Sequence, residues 1–131
     1  MNILVGYTGG TDLDKTVMEL AKQHAKIFNA RLFVATSMES ATEKEMSELD
    51  KVEAEMEKLK NAIEQEGIAC ETHLLIRGLT PGEDLVEFAK DNKIDEIFIG
   101  IEKTSKVGKL LFGSNAQFII LEAPCPVISV K

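Results

Sequence analysis

The sequence predicts an α/β fold built as a doubly wound parallel sheet with helices on both faces. Three observations carry this expectation. Short apolar runs alternate with helical patterns along the whole chain, which implies right-handed βαβ units. The first run is apolar almost without interruption, as a strand covered on both faces must be. Glycine stands at the end of three runs, at Gly9-Gly10, Gly78 and Gly100, where such sheets place their ligand-binding loops.

The elements follow in order. Residues 2–8 (NILVGYT) read as a buried central strand stopped by Gly9-Gly10. Thr11 or Asp12 then caps a helix with Leu13, Val17, Leu20, Ala21 and Phe28 at helical spacing, ending near Asn29. A second strand covers Arg31 to Ser37. A long helix runs from about Thr42 to Glu66, with Met46, Leu49, Val52, Met56, Leu59 and Ile63 as the stripe facing the sheet and Gly67 as its stop. Ile68 to Ile76 form a third strand. Thr80-Pro81-Gly82-Glu83 is a capping box with proline at the first helical position, and it opens a helix to about Asn92. Glu96 to Gly100 form a fourth strand, residues 101–112 a lysine-rich loop, and Ser114 with Gln117 a second capping box opening a helix that ends before Pro124. Val127 to Val130, introduced by Pro126, form a last strand at a sheet edge.

The 131 residues suffice for one domain, expected over residues 1–131, and 44% hydrophobic with 28% charged residues is a globular composition. A net charge of -7 opposes nucleic-acid binding. Its acidic stretch, residues 43–66, is a solvated helix face. Cys70 and Cys125 lack any CxxC spacing and are expected to be packing residues. No basic n-region precedes the first apolar run and no run is long enough to span a bilayer, so no membrane association and a cytoplasmic location are expected. His24 and His73, inside a helix and a strand, are expected to be packed or superficial rather than catalytic. Ile76-Arg77-Gly78 offers no acceptor aspartate of the kind a phosphorylated receiver domain needs.

One segment stands out. Between Gly100 and Gly113-Ser114 the chain carries Lys103, Lys106 and Lys109, and a strand-end glycine, cations and a helix start with a hydroxyl suit an oligophosphate. The same pattern also suits a capped helix behind a solvated loop, and residue chemistry alone leaves both readings open. The spacing of Gly108-Lys109 is not that of a Walker A loop.

ILVGYTGG at the start, GIEKTSKVGKLLFGSNAQ near the end and the closing PCPVISVK together resemble the universal stress protein family over the full length. The resemblance implies an adenine-nucleotide alpha-hydrolase-like sheet of strand order 3-2-1-4-5. It implies that ATP or another adenine nucleotide, with magnesium, is bound by Thr8, Gly9 and Ser37 near the nucleoside, Ile99 and Gly100 beneath it, and Lys103, Gly113, Ser114 and Asn115 around the phosphates. No protein ligand to a metal and no catalytic residue is implied, with at most weak ATP hydrolysis. The family's phosphate signature has a second glycine where this chain has Lys103, and its nucleotide-binding members usually carry, at the end of the first strand, an aspartate that addresses the nucleoside where this chain has Thr8. The resemblance further implies a homodimer formed through the edge strand Val127 to Val130, a stress-response role and an unidentified protein partner. The two departures permit a second reading, a degenerate pocket on a protein-interaction module, and TGGTDL at Thr8 to Leu13, which resembles the SGGxDS loop of ATP pyrophosphatases, gives a third, an enzyme of that kind.

Overall fold

A computed structural model describes residues 1–38, 43–101, 104–106, 109–111 and 113–131, giving the backbone alone at 44, 45, 104–106 and 109–111. Eleven elements follow one another: β1 (Asn2–Gly6), α1 (Asp12–Phe28), β2 (Arg31–Met38), α2 (Glu43–Gln65), β3 (Cys70–Ile76), α3 (Pro81–Asp91), β4 (Glu96–Gly100), β5 (Thr104–Lys106), β6 (Lys109–Leu111), α4 (Ser114–Glu122) and β7 (Val127–Val130). Five strands pair in parallel in the order β3-β2-β1-β4-β7, which is the expected 3-2-1-4-5 sheet.

Residue alternation along the central strands decides which helices cover which face. Ile3, Val5, Leu32, Val34 and Phe98 meet Val17, Met18, Ala21 and Ala25 of α1 and Ile63 of α2. Leu4, Phe33, Ala35, Ile97 and Ile99 meet Leu85, Val86, Phe88 and Ala89 of α3 and Ile119 of α4. Burial on both faces explains why these strands read as continuous apolar runs. Cys70 is buried within the first cluster, and burial, with the carboxylates Glu64 and Glu71 adding to it, pushes its thiol up to about 11. Cys125 packs at the margin of the second cluster.

Helix starts follow local chemistry. Thr11 caps α1 in a reciprocal box with Asp14, leaving Asp12 as the first helical residue, and Thr80 caps α3 in the same way with Glu83. α1 ends on Asn29 in the left-handed conformation, φ 51°.

Four expectations are corrected. The segment 101–112 is not a simple loop, because β5 and β6 pair there as an antiparallel hairpin. α4 has no side-chain capping box: Gly113 is its N-cap and Ser114 already belongs to the helix. Phe28, the last residue of α1, is 53% exposed, with the ring of His24 edge-on to it. Met46, in the first turn of α2, is exposed as well.

Candidate functional site

The winding reverses between β1 and β4. The chain runs β1, β2, β3 towards one edge and then returns to lay β4 and β7 on the other side of β1. Helices leaving such a point diverge and open a crevice beyond the carboxyl ends of the strands. A cavity of about 600 Å³ lies there, within the range of small-molecule sites.

Its floor is Gly6 to Gly9 from β1 and the following loop, Ala35 to Met38 from β2, and Ile99 with Gly100 from β4. Val52, Glu55 and Met56 of α2 form one wall, Pro81 and Leu85 of α3 with Asn115, Ala116 and Ile119 of α4 the other. Val52 and Met56, expected to face the sheet, thus also line the cavity. Thr8, Gly9, Ser37, Ile99, Gly100 and Asn115, six of the nine residues expected at the site, come together on this lining from four separated segments. Gly113 and Ser114 are exposed and outside the lining. Lys103 lies outside the described residues.

Gly100 is small for a structural reason. A Cβ there would meet Leu13 Cγ and Cδ2 at 2.8 Å, so α1 lies directly on the strand end. Asn115 has a structural duty too: its Oδ1 accepts from Gly82 N at 2.9 Å and caps the start of α3.

Two carboxylates organise the rim, and both escaped the sequence reading. Asp14 is 5% exposed and accepts from Gly10 N at 2.8 Å, from Thr11 N and Thr8 N at 3.2 Å, and from Thr8 Oγ1 at 3.0 Å. The acid missing at position 8 is therefore supplied six residues later and turned onto the loop itself. The spacing Thr11-x-x-Asp14, a capping box with aspartate at its far end, was the signal that could have found it. Asp84 is fully buried behind the rim. Ser37 Oγ donates to its Oδ2 at 2.8 Å, Arg77 Nε donates to its Oδ1 at 2.6 Å, and Arg77 Nη2 donates to its main-chain oxygen at 3.2 Å. No sequence pattern joins Ser37, Arg77 and Asp84, because the contact spans 47 residues.

Tyr7 completes the rim, its phenol pKa pushed up by burial and then by the carboxylates of Asp14 and Glu55. Asp14 and Glu55 are the charged residues of the described lining, and no described cation accompanies them. Among the described residues no cluster of three or more His, Cys, Asp or Glu is placed to hold a metal ion. The histidines are packing residues: His24 lies edge-on to Phe98 with Nδ1 3.3 Å from Glu96, and His73 packs against Phe33 and Phe88. The glycines of the TGGTDL loop, at φ 121° and 87°, turn the chain into the cap of α1. No described helix is long and apolar enough to cross a membrane.

Comparison with known proteins gives concordant matches. The model of the universal stress protein family matches residues 1–131. A curated universal stress protein of Thermus aquaticus is 32% identical, covering 98% of this chain and 97% of its own length. A solved universal stress protein of Archaeoglobus fulgidus superposes with TM-score 0.85 at 31% identity, covering 100% of this chain and 93% of that one. A second structure from Archaeoglobus fulgidus, in complex with dAMP, has TM-score 0.80 at 29% identity, covering 100% and 98%.

Proposed function

Since the chain belongs to the universal stress protein family, we propose that it is a stress-response regulatory module that binds an adenine nucleotide, ATP or a relative of it, in the cavity between β1 and β4. The observation that carries this is the convergence on one cavity of about 600 Å³ of six residues from four segments. The dAMP complex of a relative at 29% identity supports the same ligand class. The base and ribose fit the lining between α2 and α3, where Val52, Met56, Leu85 and Ile99 give apolar surface and Ser37 a polar handle. The phosphates lie towards Gly113 and Ser114, where the first turn of α4 has no side-chain cap, with Lys103 supplying charge. Magnesium arrives with the phosphates rather than in a protein-built cage. At most weak ATP hydrolysis is expected, because neither histidine reaches the cavity.

The protein acts in the cytoplasm as a homodimer formed along β7, whose outer edge has no neighbour in the described sheet. Phe118, Ile120 and Leu121 on α4 are exposed apolar side chains that a partner subunit would cover.

Calorimetry and thermal-shift measurements with millimolar ATP, ADP and AMP plus magnesium test the proposal. A ligand held only by the folded state must raise its stability, by about 2.7 kcal/mol at a hundred times Kd. Release of an adenine nucleotide on denaturing the purified protein is the complementary readout. Absence of any binding sinks the reading.

One observation favours the second reading, a protein-interaction module with a degenerate pocket: Asp14 and Glu55 face the cavity with no described cation beside them. Lys103→Gly and Thr8→Asp separate the two. Nucleotide affinity gained from none identifies a degenerate pocket, whereas affinity lost with Lys103→Gly identifies that lysine as a phosphate ligand.

A further inference from the structure

Of the four hydroxyls that β1, β2 and the loop after β1 bring to the cavity, on Tyr7, Thr8, Thr36 and Ser37, the last three share one hydrogen-bond polarity. Thr8 Oγ1 donates to the Asp14 carboxylate at 3.0 Å, Thr36 Oγ1 to the Tyr7 carbonyl at 3.0 Å, and Ser37 Oγ to Asp84 Oδ2 at 2.8 Å. A hydroxyl has one proton and two lone pairs. With the proton directed into the protein, each of the three offers only lone pairs to a ligand.

For Ser37 this direction is enforced from a distance. Asp84 sits in the first turn of α3, 0% exposed, and Arg77 Nε occupies its other oxygen at 2.6 Å. A carboxylate has no proton to return. Were Ser37 to rotate its O–H towards a ligand, Asp84 Oδ2 would be left buried without this donor, a costly state for a charged oxygen. Neither Asp84 nor Arg77 lines the cavity, so they act on a ligand only through Ser37.

We infer that Asp84 is a positioning residue that holds Ser37 as an obligate hydrogen-bond acceptor, and that this selects nucleotides presenting an amino group at that wall over those presenting a carbonyl. The inference rests on the nucleotide reading above and sharpens it. An adenine base offers its exocyclic N–H to Ser37, whereas the 6-keto group of hypoxanthine sets lone pairs against lone pairs. Tyr7, whose hydroxyl stands by Gly10, is the lining hydroxyl with no acceptor among the described residues, and it supplies donor capacity away from Ser37.

The test compares AMP, IMP and purine riboside monophosphate, which lacks the exocyclic group, on the full chain and on the variants Ser37→Ala and Asp84→Asn. The wild type should bind AMP about tenfold more tightly than IMP, the scale of one hydrogen bond gained against one buried mismatch, with purine riboside monophosphate between them. In Asp84→Asn, Arg77 keeps the amide oxygen, so the NH2 faces Ser37 and frees the serine proton. The AMP to IMP ratio should then fall by about tenfold or invert. Ser37→Ala, a smaller change, should bring the two ligands together and carries the test alone if Asp84→Asn does not fold. A structural role would weaken both ligands in proportion and leave the ratio where it was. That result, or wild-type affinity for IMP equal to that for AMP, overturns the inference while leaving nucleotide binding intact. Failure of all three ligands to bind the wild type overturns both.

Discussion

Replacing Gly100 by alanine separates what this glycine does for the fold from what it does for a ligand. Its φ lies outside the left-handed region, so an alanine is conformationally acceptable and only space opposes it. The added Cβ would stand 2.8 Å from Leu13 Cγ and Cδ2 and 3.3 Å from Val17 Cγ2. Val17 is fully buried and cannot yield, so Leu13 must swing outward into the cavity it lines. Overpacking of this kind costs about 1–3 kcal/mol. The lower entropy of the unfolded chain offsets about 0.4–1 kcal/mol of that. A net loss of about 1–2 kcal/mol remains, which for a chain of this length lowers Tm by about 4–7 °C. Urea denaturation of the ligand-free protein reads this directly as a lower midpoint at unchanged slope. Leu13→Ala should relieve the clash, so Gly100→Ala should cost about 1 kcal/mol less in that background than in the wild type. An unchanged midpoint in the single variant, or strict additivity in the double one, would refute the packing explanation and leave ligand approach as the reason for the glycine.

Four further outcomes are expected. Asp14→Ala removes the acceptor for Thr8, Gly10 and Thr11 together and should lower stability by about 2 kcal/mol in urea melts, more than an ordinary lost N-cap; a loss below about 0.5 kcal/mol would show that water replaces it. The folded protein holds the Cys70 thiol above its ordinary value of 9.0, at about 11, chiefly by burial. The stability this contributes is complete below pH 9 and is lost as pH rises through 11, so the urea midpoint should fall over that window and Cys70→Ala should flatten the fall. In the same protein a thiol reagent at pH 8 should reach half-buried Cys125 before Cys70, and simultaneous reaction would contradict the assigned burial. Pro126 O and Val130 O accept from β4, so the alternate residues Val127 and Ser129 turn their main-chain groups to the free edge. Ser129→Pro should therefore convert the proposed homodimer to monomer in light scattering with the β4 ladder intact, and a persistent dimer would move the interface elsewhere.

How much of the site was legible follows from the range of the interactions that build it. The loop after β1, the capped start of α3 and the glycine ending β4 are local features, written in neighbouring residues, and they appear where the sequence places them. Phe28 and Met46 keep the helical apolar spacing yet stand exposed, because spacing marks a face of a helix and not how far neighbouring elements cover it. The β5–β6 hairpin escaped because three-residue strands carry no readable periodicity.

Periodicity, caps and glycines act over a few residues or one strand, so the four helices, the five parallel strands and the family were legible in the chain alone. How the cavity is furnished came from the packing of the elements against one another. That packing placed α2 over the strand ends with Glu55 and Met56 on the lining, pressed Leu13 onto Gly100, and buried Asp84 between Ser37 and Arg77. Those contacts join residues up to 87 positions apart, as Leu13 and Gly100 are, and arise from the packing of whole elements that no local pattern encodes. The hydrogen-bond polarity of Ser37 belongs to this second kind of information.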